Sequence, residues 1–207
     1  MAIRSETKGK NFSGNSRSAA RSARDFYQTP YSMTRHLIAS EGFDDPILEP
    51  AAGGGAIVRV LQEAGHAVEY YDLAGGTDFL LEKRRYPSII TNPPFRRANE
   101  FIKKAVRIAD KIAFLMPVDY LHGLERYREI YSMDCLRPYR IYVFIRKPML
   151  SESIREDGKY GTGMMVYAWY VWDRLFCRKF PEVRWIDNNA DVLRKETPAT
   201  GCEEVLF

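Results

Sequence analysis

Ile47-Leu48-Glu49-Pro50-Ala51-Ala52-Gly53-Gly54-Gly55-Ala56-Ile57-Val58-Arg59-Val60-Leu61 reads as strand, glycine turn, helix: apolar residues run into an acid, glycines follow, and apolar residues then recur at helical spacing. Glycines let a backbone approach a ligand closely, and the start of the following helix offers free N–H groups. The letters are not GxGxxG, and no GK[ST] follows, so dinucleotide and P-loop readings both fail. An acid at the strand end argues against a phosphate and suits a ligand bearing an ammonium or hydroxyl groups.

Three further stretches extend this pattern. Gly65-His66 turns the chain into Ala67-Val68-Glu69-Tyr70-Tyr71-Asp72, a second strand ending in an acid, and a carboxylate there is sited to accept from both ribose hydroxyls of a nucleoside. Gly75-Gly76-Thr77-Asp78-Phe79-Leu80 follows, where Asp78 could accept from an adenine amine while Phe79 or Leu80 covers the ring. Then the β-branched run Ser88-Ile89-Ile90-Thr91 ends abruptly in Asn92-Pro93-Pro94-Phe95. An amide, a backbone carbonyl and an aromatic face are presented together at the carboxyl edge of a sheet. The Asn92 oxygen and the Pro93 carbonyl can each accept one N–H of an exocyclic amine, and Phe95 can stack on its ring. The plainer alternatives are an Asn-Pro turn after a core strand and, for each acid taken alone, a loop carboxylate in water.

With these residues in order, the chain resembles S-adenosylmethionine-dependent N6-adenine methyltransferases. EPAAGGG from Glu49, the acid Asp72, Asp78-Phe79-Leu80 and TNPPF from Thr91 look like motifs I to IV of that family. Asp25-Phe26-Tyr27-Gln28-Thr29-Pro30 looks like motif X, which in the family approaches the methionine end of the cofactor, and its place before motif I is the order of the gamma class. Phe114–Pro117, Arg140–Phe144 and Tyr167–Trp172 are similar to the closing strands of small phage and prophage enzymes of this kind. The resemblance spans about residues 25 to 187. It implies a Rossmann-like class I methyltransferase fold, S-adenosyl-L-methionine as cofactor, and contacts to it from Tyr27, Thr29, Pro30, Glu49, Ala51, Gly53, Asp72, Asp78, Phe79 and Asn92. Asn92, Pro93, Pro94 and Phe95 would carry the chemistry. Two departures stand out. Too few residues separate Asp72 from Asp78 for the usual helix and full third strand, and no length remains for a separate target-recognition domain.

Composition bounds the rest. With 207 residues, 45% of them hydrophobic, the chain can bury a full core, and its three cysteines, Cys135, Cys177 and Cys202, are odd in number and scattered, as reduced thiols are. No apolar run reaches membrane-spanning length and the N-terminal stretch is polar, so a cytoplasmic protein is expected. His36, His66 and His122 lack metal-ligand spacing, so no metal is expected, and the absence of a Pro-Cys pair counts against a C5-cytosine enzyme. Net charge is only +4, yet Arg4, Lys8, Lys10, Arg17, Arg21 and Arg24 crowd a Ser/Gly/Asn/Ala segment opposed by Glu6 alone. Residues 1–24 therefore read as a basic arm, suited either to phosphate backbones or to solubility alone. Arg96 and Arg97 likewise could grip phosphates or begin the solvated face of a helix.

Period and punctuation predict helices at 31–40, 56–64, 98–109 and 124–133, and strands at 46–49, 67–72, 88–91, 111–117, 139–147 and 164–173. Their alternation implies one α/β domain over 25–187, a mostly parallel sheet covered on both faces, with the last two strands as an antiparallel C-terminal hairpin and a tail over 188–207. The connection Ser151–Gly163 is long and charged, a lid or nucleic-acid clamp by its length. Methyl transfer to adenine N6 in DNA is the expected function. RNA adenine or protein glutamine methylation, and an inactive cofactor- or nucleic-acid-binding module, are the alternatives.

Overall fold

The computed structural model describes residues 29–145, 165–176 and 180–188. The basic arm, Tyr27, Cys177, Cys202, the 151–163 connection and the tail from 189 lie outside the described residues.

Seven strands form one sheet in the order β2-β1-β3-β4-β6-β5-β7, where β1 is Ile47–Glu49, β2 Val68–Tyr70, β3 Tyr86–Thr91, β4 Ala109–Pro117, β5 Arg140–Phe144, β6 Tyr167–Asp173 and β7 Glu182–Ile186. All neighbours run parallel except β6, which is antiparallel to both β4 and β5. This is the mostly parallel, doubly covered sheet that the strand–helix alternation predicts, and it matches the Rossmann-like class I fold that the resemblance implies. Helices α1 (Tyr31–Ser40) and α2 (Ala56–Glu63) cover one face, and α3 (Ala98–Ile108) covers the other.

Periodicity explains both coats. On α3 the buried residues Ala98, Phe101, Ile102, Ala105 and Ile108 recur at three- and four-residue steps and meet Ile89, Ile112 and Phe114 of the sheet. From the other side Met33, Leu37, Ile57 and Leu61 meet Ile90, Ala113 and Leu115. The aromatic run of β6 alternates between the layers, Tyr167 and Trp169 facing one, Tyr170 and Trp172 the other. Their polar atoms are satisfied on the backbone: Trp169 Nε1 donates to Met33 O (2.9 Å), Trp172 Nε1 to Leu136 O (2.8 Å) and the Tyr170 hydroxyl to Pro117 O (2.9 Å).

Three details depart from the sequence pattern. The helix predicted over 124–133 is a short turn, Leu124–Arg126, that widens into a π-helical turn over Tyr127–Tyr131. The wider turn places Ile130 in the core and brings the Tyr131 hydroxyl to Tyr120 O at 3.1 Å. A seventh strand, β7, escapes the pattern because it is a short edge strand in which only Ile186 is buried. Finally, β5 and β6 are antiparallel neighbours, but β6 is inserted between β4 and β5, and β7 closes that end of the sheet. The shortened stretch after Asp72 forms two 3₁₀ turns, Leu73–Gly75 and Phe79–Leu81, in place of a third strand, so β2 is an edge. No described helix is long and apolar enough to cross a membrane.

At the end of the sheet where β4 and β5 begin, Glu41 is buried among donors. It accepts from Lys111 Nζ (2.8 Å), the Tyr139 and Tyr142 hydroxyls (2.7 Å each) and the Arg140 guanidinium. Burial alone would raise its pKa, but these donors together lower it from 4.5 to about 2. The charged form is the one the fold favours, so its contribution is fully present above pH 4.5 and is lost as pH falls through about 2. Glu41→Gln should therefore cost about 3 kcal/mol of stability at neutral pH, since it leaves Lys111 and Arg140 without their shared anion. Urea titrations of both proteins should show the gap narrowing under acid conditions.

Candidate functional site

The carboxyl ends of β1, β2 and β3 lie side by side, and each delivers one predicted residue to the same cavity. Glu49 ends β1, Asp72 follows β2, and Asn92 follows β3. In open α/β sheets this edge, beyond the strand ends, is where ligands bind.

Glu49 is 1% exposed. Its Oε1 accepts from the Thr91 hydroxyl (2.5 Å) on the neighbouring strand and from the Ala51 N–H (2.9 Å). Its Oε2 is buried and has no hydrogen-bond partner among the described residues. Burial, with the nearby Asp72 charge adding to it, outweighs those two donors and raises the pKa from 4.5 to about 8. A buried carboxyl oxygen left unsatisfied beside a cavity is suited to an ammonium group supplied by a ligand.

The glycine turn closes against Asp72. Gly53, at φ 50°, donates its N–H to Asp72 Oδ2 (3.0 Å), while Asp72 Oδ1 accepts from Ala74 N (2.8 Å). Gly55, at φ 76°, stands directly before α2, a backbone conformation that side chains rarely tolerate. Asp78 is held in the same way, its Oδ1 accepting from Leu80 N (3.0 Å), and its Oδ2 lies 3.4 Å from Arg97 Nη2. Asn92 Nδ2 donates to the buried Thr29 hydroxyl at 3.1 Å, tying the strand-end amide to the segment just before α1.

One cavity is lined by Thr29, Glu49, Ala51, Gly53, Asp72, Asp78, Phe79, Asn92 and Pro94 of the predicted residues. Pro30, Pro93 and Phe95 do not line it. Pro93 is buried, and the Phe95 ring lies 6.1 Å from that of Tyr167. Phe79 is 1% exposed, with its ring 4.8 Å from that of Phe101, so it serves the core as well as the cavity wall. Two residues have roles that the sequence reading missed. Thr91 donates to Glu49, which its position one residue before Asn92 at the end of a strand could have suggested. Arg97 was expected to face phosphates or solvent. Instead the 3₁₀ turn Phe95–Arg97 carries it to the cavity, where it pairs with Asp78 and with Glu100 (3.2 Å). Among the described residues no group of three or more His, Cys, Asp or Glu could hold a metal ion.

No family model and no curated protein matches the chain. Among solved structures it is similar to PH1948 from Pyrococcus horikoshii, a candidate RNA methyltransferase (15% identity, 72% of this chain and 87% of that one, TM-score 0.46). It is also similar to the 23S rRNA methyltransferase ErmE (11%, 72% and 69%, TM-score 0.44). A third is the magnesium protoporphyrin IX methyltransferase of Synechocystis PCC 6803 with bound S-adenosylmethionine (14%, 69% and 80%, TM-score 0.42). At these identities and TM-scores the chemistry has to be read from the site itself.

Glu49 makes the site sensitive to pH. In the folded protein it keeps a proton that the unfolded chain releases above 4.5, so its effect on stability is unfavourable and grows as pH rises from 4.5 towards about 8. The melting temperature of the ligand-free protein should fall across that range, and Glu49→Gln, which cannot ionise, should fall less steeply. Parallel slopes for the two proteins would mean that Glu49 is charged throughout.

Proposed function

We propose that this chain transfers a methyl group from S-adenosylmethionine to the N6 amine of adenine in DNA. The observation that carries the reading is a single cavity in which three acidic side chains, Glu49, Asp72 and Asp78, stand beside the amide of Asn92 at the head of Asn92-Pro93-Pro94-Phe95. Glu49 Oε2 suits the ammonium of the methionine portion, Asp72 the ribose hydroxyls, and Asp78 the amine of the adenine ring. Bound there, the cofactor would supply an electrophilic methyl group on a sulfonium.

What remains for the protein is to make a poor nucleophile competent. The N6 lone pair of adenine is delocalised into the ring. Asn92 Oδ1 and the Pro93 carbonyl, each accepting one N–H, would turn and pyramidalise the amine so that lone-pair density is restored towards the methyl carbon. The Thr29 hydroxyl, by holding Asn92 Nδ2, keeps that amide from rotating away. The positive charge that would grow on N6 as it accepts the methyl group, with the C–S electron pair leaving on sulfur, would be stabilised by the same two acceptors, Asn92 Oδ1 and the Pro93 carbonyl. The extra proton then passes to water, with no strong general base required. In a duplex the target nucleotide must leave the stack, and Phe95 would recover part of the lost stacking.

Incubating the protein with isotopically labelled cofactor and, separately, duplex DNA, single-stranded DNA, RNA and glutamine-bearing protein should place the label on adenine N6 of DNA by mass spectrometry. Label on RNA or on glutamine would retain the chemistry and change the substrate. Asn92→Ala should abolish turnover while leaving cofactor affinity within a few-fold of wild type, because Asn92 acts on the acceptor amine. Asp72→Ala should weaken cofactor binding by about 1–3 kcal/mol in calorimetry, the worth of a lost hydrogen bond in a sheltered site. Wild-type protein that binds neither S-adenosylmethionine nor its demethylated product would overturn the reading.

A further inference from the structure

The segment from Asn92 to Arg97 is fastened to the cavity at both ends. At its start Asn92 Nδ2 holds the Thr29 hydroxyl at 3.1 Å, and at its end Arg97 Nη2 reaches Asp78 Oδ2 at 3.4 Å. Between them the chain is stiff. Two prolines are followed by a 3₁₀ turn whose Arg97 N–H donates to Pro94 O at 2.9 Å, and α3 begins at the next residue. Arg97 therefore belongs at once to the turn that presents the acceptor amine with its partners and to the wall that would receive the cofactor's adenine.

Its charge is divided between two carboxylates. Asp78 takes Nη2, and Glu100, exposed on the first turn of α3, takes Nε at 3.2 Å. Asp78 Oδ1 accepts from Leu80 N and Oδ2 from Arg97 Nη2, so a donor amine that arrives from the cavity and takes Oδ2 shares that oxygen with the guanidinium. Each further donor on that oxygen weakens the pull on Arg97. A guanidinium partly released there stands beside exposed Arg96, next to the turn where a target strand would pass.

On the proposed methyl-transfer reading, we infer that Arg97 is a positioning residue that couples the two ligands: occupation of Asp78 by the cofactor's adenine loosens its hold on the guanidinium, which is then better able to attract the phosphates of the incoming DNA while Glu100 still holds Nε. Cofactor and DNA then bind with positive cooperativity, and by linkage each strengthens the other by the same factor.

The test is equilibrium binding of fluorescently labelled duplex and single-stranded DNA at fixed salt, without and with saturating S-adenosylhomocysteine, which permits no turnover. Wild type should gain on the order of tenfold in DNA affinity when the nucleoside is present, within the usual range of coupling between sites. Arg97→Ala should lose that gain, and Arg97→Lys should recover part of it. Asp78→Asn should bind DNA more tightly than wild type in the absence of the nucleoside, because Arg97 is already released, and should gain little when it is added. A purely structural role for the pair would not produce that opposite behaviour. Equal DNA affinity of the wild type with and without S-adenosylhomocysteine, or a full gain in Arg97→Ala, would overturn the inference while leaving methyl transfer untouched. Failure of the wild type to bind S-adenosylhomocysteine at all would remove the methyl-transfer reading, and the inference with it.

Discussion

The site depends on a glutamate whose two carboxyl oxygens are treated unequally. Glu49 is fixed by its first oxygen to the Thr91 hydroxyl and the Ala51 N–H, so β1, β3 and the glycine turn are locked in register with each other. The second oxygen is buried without a partner among the described residues. An unsatisfied buried polar atom costs about 1–3 kcal/mol, which a chain devoted to stability alone would avoid. On the methyl-transfer reading it would keep a place for a cation at the centre of the strand ends. The core on either side of β1 and β3, with Ile47, Leu48, Ile89 and Ile90 all 0% exposed, offsets the cost.

The opposite end of the sheet shows the same residue type under the reverse arrangement. Glu41 is nearly as buried as Glu49, yet it accepts from two cations and two tyrosines and is held well below its ordinary pKa, while Glu49 is raised above its own. Burial acts in the same direction on both, but it is more complete at Glu49, whose two donors are neutral, whereas two of the four donors to Glu41 are cations. The two needs fall at different ends of the sheet: where β4 and β5 begin, Glu41 is surrounded by donors, and at the carboxyl end of β1 one buried oxygen of Glu49 faces the strand ends where ligands bind in open α/β sheets.

Much of this was legible in the letters. The glycine turn between β1 and α2, the bounds of α1 and the apolar face of α3 follow from local spacing, and Glu49, Asp72 and Asn92 were placed at the strand ends because each terminates an apolar run. What escaped was decided by tertiary contacts. The strand β7 has one buried residue and a charged, alternating sequence, so no apolar run announces it. The π-helical turn at Tyr127–Tyr131 comes from the needs of Ile130 and Tyr131, which periodicity reads as ordinary helix. Arg97 looked like a solvent-facing cation because its partner Asp78 is nineteen positions away in sequence and is brought to it only by the fold.

The stretch after β2 bears on the setting of Arg97. It forms two 3₁₀ turns and, among the described residues, adds no strand outside β2, leaving Tyr70 and Leu73 more than half exposed. Asp78 sits within that stretch. Its position is secured by one backbone N–H of its own turn and, from the opposite side of the cavity, by a guanidinium anchored on α3. Of the two bonds, the one from Arg97 is a side-chain bond, and such a bond can be exchanged for a ligand's with far less disturbance than a backbone ladder can. On the proposed reading, the 3₁₀ turns that leave this edge without a strand are also what would let the Asp78 end of the cavity respond to its occupant.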